Sequence, residues 1–208
     1  MATRQTLLTA VRRRIDEEDS TNSHFTNSEI YDYINQAIRY LGTDLEWPIQ
    51  LAQATSVANQ AVYTLPDDFI SISDFYFNNR DLPIVDRSDL TALAGQWQDA
   101  PASTPQYAYR QDNSKIGLFP KPNSDNDGLA IQIWYIKVPP DLEDDVTAPD
   151  LHVSFHDCLP FYAAFLCEDK LGNTKKSNKE LELYEYHKKR ITSRVEKFAD
   201  ESRRFRWG

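Results

Sequence analysis

The chain has 208 residues, 40% hydrophobic and 26% charged, with 11 prolines and 6 glycines. That composition excludes the disordered and fibrous classes, and the length suffices to bury a core without cross-links. The net charge of −9 hides an asymmetry. Residues 173–208 carry 11 Lys/Arg against 6 Asp/Glu, residues 1–172 carry 12 against 26, and residues 43–149 carry 6 against 16. An acidic body repels phosphate backbones, which argues against a DNA-gripping protein, and the basic C-terminal end points to a docking element.

The first segment, MATRQTLLTAVRRRIDEED, spaces Leu7, Leu8, Val11 and Ile15 along one stripe. It predicts a helix over roughly 3–18 rather than a signal peptide. Arg12, Arg13 and Arg14 are expected on a solvated face, neutralised by Asp16, Glu17, Glu18 and Asp19. A second helix is predicted over Ile30, Tyr33, Ile34, Ala37, Ile38 and Leu41. Thr26 and Glu29 form its capping box, Phe25 and Ile30 its staple, and Gly42 its stop.

From Trp47 to about Val138 the pattern turns to strands, at 50–55, 61–65, 70–77 and 129–137. Short runs at 81–85, 106–111 and 115–119 complete an antiparallel sheet, with a short helix over Ser88–Ala94. Phe75, Tyr76 and Phe77 lack the interleaved Lys/Arg of a base-stacking platform and are expected to serve packing.

After the acidic link PPDLEDDVTAPD, residues 151–171 are apolar nearly all round. They predict a buried helix kinked at Pro160 and ended by Gly172. A capping box at Ser177 and Glu180 opens a last helix to about residue 200, with a narrow seam of Leu181, Tyr184, Ile191, Val195 and Phe198 that Lys188 interrupts. The expected fold is α+β. The N- and C-terminal helix pairs (1–46 and 147–202) make a four-helix bundle, with an antiparallel β-rich region (47–146) bulging from one end as an insertion and a docking arm at 203–208.

Reactive constellations are scarce. His152 and His156 stand four apart beside Asp157, but HVSFHD lacks the internal glutamate of HExxH and suggests no third ligand. There is no GxSxG elbow and no phosphate-binding glycine loop. The pairs Asp67–Asp68 and Asp144–Asp145 sit beside prolines, where Asp serves turns and caps. Cys158 and Cys167, nine apart in an apolar run, suit neither a redox motif nor a zinc knuckle and are expected as buried thiols in a reducing cytosol. No cofactor, metal or membrane span is expected, and no enzymatic activity.

Specific segments carry a resemblance. Val62-Tyr63-Thr64-Leu65-Pro66-Asp67-Asp68-Phe69-Ile70 resembles the "Y-x-LP-x-DF" segment of phage head-to-tail adaptors, the tail tubular protein A-like group. Leu82-Pro83-Ile84 and Asp89-Leu90 match the strand and short helix that follow it. Ile116-Gly117-Leu118-Phe119-Pro120-Lys121-Pro122 is similar to its "L-x-P-x-P" strand end, and Ile131-Gln132-Ile133-Trp134-Tyr135 to its next strand. The helix pairs, including "AAFLCEDKLGN", fit as well, so the likeness covers nearly the whole chain in order.

The resemblance implies a structural virion protein made in the host cytoplasm and placed in the neck. It forms a homo-oligomeric ring, usually of twelve, that docks on the portal protein, takes part in tail assembly and lets DNA pass to the tail or nozzle protein during ejection without binding it. The expected portal-binding residues are Arg203, Arg204, Phe205, Arg206 and Trp207 of the arm, with Lys188, Lys189 and Arg190. Arginine and aromatic side chains are enriched at interface anchors. Tyr76, Tyr107 and Tyr109 are expected as exposed aromatics meeting the tail. Alternatives are another neck component, such as a completion or gatekeeper protein, a host-derived scaffold without a virion role, and a hydrolase using His152, His156 or Asp157.

Overall fold

A computed structural model of the chain describes residues 2–18 and 23–204, with side chains as far as residue 193. The chain divides into two units: Met1–Leu45 together with Pro139–Gly208, and Glu46–Val138.

In the first unit, α1 (Arg4–Arg14) opens on a reciprocal cap between Thr3 and Thr6. It stops short of the expected residue 18. Asp16 adopts φ 60°, and the buried Arg12 draws the following chain back by donating to the carbonyls of Glu17 and Phe25 and to Asn27 Oδ1. Arg12 is therefore an internal tie and not part of a solvated face. In α2 (Asn27–Asp44) the Thr26–Glu29 capping box forms as expected, and Ile30, Ile34, Ala37, Ile38 and Leu41 are fully buried. Gly42 does not stop this helix. It lies buried inside the last turn, and Leu45 caps the end by donating to the Leu41 carbonyl.

Residues Val153–Cys158 form a 3-10 turn rather than α-helix, and α4 (Leu159–Lys170) begins after it. Pro160 falls in the first turn of α4, where a missing N–H costs nothing, so it starts a helix instead of kinking one. Gly172, at φ 72°, closes α4. Asn173 N–H donates to the Glu168 carbonyl and Gly172 N–H to that of Asp169, the two bonds of a Schellman cap. The last helix, α5 (Thr174–Arg204), starts before Ser177, which is buried within it. Glu180 faces Arg14 instead of a cap. Because α4 is apolar on every side, it packs against α1, α2 and α5 together.

The second unit holds two four-stranded sheets. One has the order β1 (Ile49–Thr55), β8 (Ala130–Lys137), β3 (Phe69–Phe77), β4 (Arg80–Asp81). The other has β2 (Val62–Thr64), β7 (Lys115–Phe119), β6 (Tyr107–Arg110), β5 (Ile84–Val85). Their inner faces interdigitate: Phe75, Phe77, Ile131, Ile133 and Tyr135 meet Tyr63, Ala108, Ile116 and Leu118 in one cluster. The segment 62–70 is the crossover between the sheets. Tyr63 in β2 is anchored through its hydroxyl to Val57 N–H and the Gln60 carbonyl, Phe69 N–H turns back to the Pro66 carbonyl, and Asp68 accepts from the Tyr135 hydroxyl at 2.9 Å.

On the far side of the second sheet, α3 (Arg87–Ala94) and a 3-10 turn at Trp97–Asp99 place Leu90 and Trp97 over Tyr109. Tyr109 lies directly across from Gly117, and a Cβ there would come within 2.1 Å of the Tyr109 ring. Only glycine leaves room for that ring.

These features correct the expected four-helix bundle with a β insertion. The chain is a mixed α+β protein with, among the described residues, five α-helices and eight strands in two sheets, and its β region is large, with a core of its own. Helical periodicity identified the flanking helices, but it is silent on how they pack: α4 serves as a common centre and not as one corner of a square. The β region is also not wholly antiparallel. β5 and β6 run parallel, as their connection through α3 allows.

Two stability predictions follow from these contacts. Gly117→Ala should destabilise the protein by about 1–3 kcal/mol, the usual range for overpacking a core, measured by urea unfolding; an unchanged midpoint would refute the close approach of Tyr109. Glu29 is held at about pKa 2, against an ordinary 4.5, by its bond to Lys170 and by the Thr26 donors. A depressed carboxyl contributes stability above its ordinary value and loses it as pH falls through the folded one. Glu29→Gln should therefore lower the melting temperature at pH 7, and the gap to the parent chain should close between pH 4.5 and about 2. Melting curves across that range would contradict this if the gap stayed constant.

Candidate assembly surfaces

The expected portal residues lie along or beyond α5. Lys189 and Arg190 are exposed, and among the described residues neither has an ion pair. Lys188 is committed within the chain: its Nζ lies 2.9 Å from Asp44 and 2.8 Å from Glu185, and it sits 5.2 Å from the Tyr184 ring centroid. The seam is interrupted by a lysine that has its own partners. The backbones of Arg203 and Arg204 end α5, and their side chains lie outside the described residues, as do Phe205, Arg206 and Trp207 altogether.

The three tyrosines expected at the tail do not form one patch. Tyr109 is only 3% exposed, which corrects its expected exposure; packing against Trp97 at 4.9 Å and over Gly117 makes it a core residue. Tyr76 and Tyr107 are half-buried, and strand alternation separates them. Tyr76 lies between the inward Phe75 and Phe77 and so faces the outer side of the first sheet. Tyr107 neighbours the inward Ala108 and faces the outer side of the second. Beside Tyr76 on that first outer face stand Trp134 and Ile49, 41% and 44% exposed, with Leu51 paired to Trp134. Sequence alternation in β8 carried this signal, since Trp134 has the opposite parity to the inward Ile131, Ile133 and Tyr135.

The helical unit carries a groove of about 1260 Å³. Its walls come from Thr6, Ala10 and Arg13 of α1, Pro160 and Phe161 of α4, and Arg190 and Ile191 of α5. Arg14 crosses it, stacked 3.7 Å over the Phe161 ring and bonded to Glu180 at 2.6 Å. Phe161 in turn stacks on His187 at 4.7 Å. The histidine pair does not share a helix face. His152 caps the 3-10 turn, its Nδ1 accepting from Ser154 N–H at 3.3 Å, whereas His156 is 1% exposed. His156 Nε2 meets the Leu151 carbonyl at 3.1 Å and therefore carries the proton, leaving Nδ1 without a partner.

The acidic link is the other distinctive surface of this unit. Arg4 binds Asp145 at 2.8 Å and the Leu142 carbonyl at 3.2 Å, and the Tyr31 hydroxyl also reaches Asp145. Asp144 accepts from Val146 N–H at 3.0 Å and Thr147 N–H at 2.6 Å; a hydrogen bond from the Thr147 side chain, with these two, holds its carboxyl below the usual range. The buried Leu142 anchors the other end, its N–H donating to Asn35 Oδ1. Between these ties Val146 is 80% exposed. A lone valine in an acidic link was its only sequence signal.

Among the described residues no group of three His, Cys, Asp or Glu is placed to hold a metal ion, and no helix is long and apolar enough to cross a membrane. Both cysteine thiols are pushed up to about 12 by burial, so neither is a thiolate near neutral pH. Asp68 and Asp144 serve structural bonds, as turn and cap residues do.

No curated protein matches the chain. A family model does, over residues 2–206, and its description is SU10 adaptor protein. It spans both helical flanks and the whole two-sheet unit, so the likeness is not confined to one motif. The chain belongs to the SU10 adaptor protein family, phage adaptor proteins, and is on that ground a structural component of the virion.

Proposed function

We propose that this protein is a head-to-tail adaptor of the tail tubular protein A-like kind, which docks as a ring on the portal and extends the DNA channel to the tail. The observation that carries this is the family match over residues 2–206, together with the ordered succession of motifs along the chain. Segment 62–70 supports it in physical terms, because the motif residues build the crossover on which the two-sheet unit depends.

The charge distribution fits the task. Residues 43–149, with 16 acidic against 6 basic groups, would repel a passing duplex rather than hold it. The basic end would do the opposite toward a protein partner. Arg203, Arg204, Phe205, Arg206 and Trp207 form the portal-binding arm, with Lys189 exposed on the helix that leads into it. Aromatic and arginine anchors offset the entropic cost of fixing side chains at an interface. Toward the tail, Tyr76 with Trp134, and separately Tyr107, supply the aromatic contacts. The ring contains twelve copies and sits in the neck.

Mixing the purified protein with portal rings tests this directly, by measuring the mass of the complex for the full chain and for a chain ending at Asp200. The full chain should join the portal as a stoichiometric ring, and the shortened chain should fail to. Binding by both would remove the arm from the mechanism. Failure of the full chain would remove portal docking, and arrival of another neck protein between the two would favour a completion or gatekeeper role.

A further inference from the structure

The groove and the Val146 loop belong to the same helical unit and have complementary properties. The groove is walled by apolar side chains, Ala10, Pro160, Phe161 and Ile191, and rimmed by Arg13 and Arg190. Arg13 meets Glu18 at 3.7 Å, but both side chains are about two-thirds exposed, so that pair is screened by water and readily exchanged. Arg190 has no ion pair among the described residues. Among the described residues Asp157 is the one carboxylate that lines the groove, and Arg14 is already paired with Glu180, so Arg13 and Arg190 carry the groove's basic character. In a chain with net charge −9, this is a locally basic recess.

The loop has the opposite sign. Val146, 80% exposed, projects beside Glu143, Asp144 and Asp145. Its conformation is fixed before any partner arrives, by Arg4 and Tyr31 on Asp145 and by the two N–H groups that Asp144 accepts. A preorganised apolar knob loses little entropy on docking. A groove of about 1260 Å³ is also larger than the roughly 300–1,000 Å³ usual for small-molecule pockets, which favours a protein segment as its occupant.

Helix α1 relates the two surfaces. Arg4 holds the loop and Thr6 lines the groove. The groove-lining positions Thr6, Leu7, Ala10, Arg13 and Arg14 lie about 60–180° around the helix from Arg4, so the two surfaces lie on different sides of α1. A knob and a hole on different sides of one element make, between chains, a head-to-tail contact, which closes into a ring when its rotation allows.

We propose that the groove between α1, α4 and α5 receives the Val146 loop of a second copy, with Val146 against the Phe161–Ile191 wall and Glu143 and Asp144 facing Arg13 and Arg190. This rests on the ring assembly proposed above and names the surfaces that make it.

The test uses two variants of the full chain, Val146→Asp, which spoils the knob, and Arg13→Glu/Arg190→Glu, which spoils the rim. All three positions are exposed, and unchanged melting curves would confirm that both variants fold. Native mass spectrometry and sedimentation then follow assembly, free and on portal rings. The parent chain should form rings and each variant alone should remain monomeric. An equimolar mixture of the two should give a one-to-one dimer and nothing larger, because only one knob and one groove remain intact. Rings from both variants at the parental concentration would overturn this contact while leaving ring assembly standing. A parent chain that stays monomeric even on the portal would overturn ring assembly itself, and this contact with it.

Discussion

The nearly all-apolar α4, contacted by three other helices, sets the organisation of the helical unit. Leu159, Ala163, Ala164 and Cys167 are fully covered, and the half-buried Phe161 and Tyr162 reach outward between neighbours. A helix without a polar face cannot lie on a surface, so α1, α2 and α5 must each supply cover. The small side chains Ala163 and Ala164 permit close approach, and the aromatic side chains fill what remains. Tyr162 stacks on Tyr40 at 4.7 Å and packs on Tyr184 at 5.1 Å. The one charge buried with α4, Glu168, is met by Asn173 at 2.6 Å and Lys176 at 3.6 Å, beside the cap that closes the helix. Without such partners a buried carboxylate would cost several kcal/mol, on the order of the whole stability of a domain.

A different constraint governs the β unit. Two sheets packed face to face need a chain that changes sheet, and residues 62–70 do this with a turn tied by the Tyr63 hydroxyl, the Asp68 carboxylate and the Phe69 N–H. Burial and the Asp68 carboxylate together push the Tyr135 hydroxyl up to about 12, so it remains a donor at any pH the protein would meet. The bond ties β8 to the crossover. Opposite it, Gly117 lets Tyr109 lie flat across β7, and Trp97 and Leu90 close over that ring. Short strands acquire stability here from aromatic cover rather than from length.

Much of this was legible in the sequence where one local rule decides the outcome. The Thr26–Glu29 cap and the face of α2 follow from spacing alone, and Gly172 ends its helix with the bonds that a left-handed residue permits. Elsewhere tertiary contacts overruled the local signal. Gly42 looked like a stop, yet burial against the core carries α2 past it. Pro160 looked like a kink and proved a start, because the preceding residues adopt 3-10 geometry. Arg12 sits in a run of three arginines, and nothing local distinguishes the one that the chain folds around. Parallel pairing of β5 with β6 is likewise a matter of topology, and no strand pattern announces it. The assembly surfaces were the least legible, since exposure of Val146 and recession of the groove exist only once three helices and a loop have come together.

The same physics links stability to the proposed assembly. Arg4 and Arg14 sit at the two ends of α1, one tied to the acidic loop and one to Glu180 and Phe161. Both bonds are short and partly sheltered, so α1 is fixed in rotation as well as in position, and the surfaces on its two flanks are held in a set relation. A head-to-tail contact closes into a ring only if every copy repeats the same angle, and small rotational slack per contact would accumulate around the circle. A rigid helix between knob and groove limits that slack. The acidic character of the rest of the chain then works in the same direction. Like-charged bodies repel in most orientations, so association is favoured only where the basic recess meets the acidic loop.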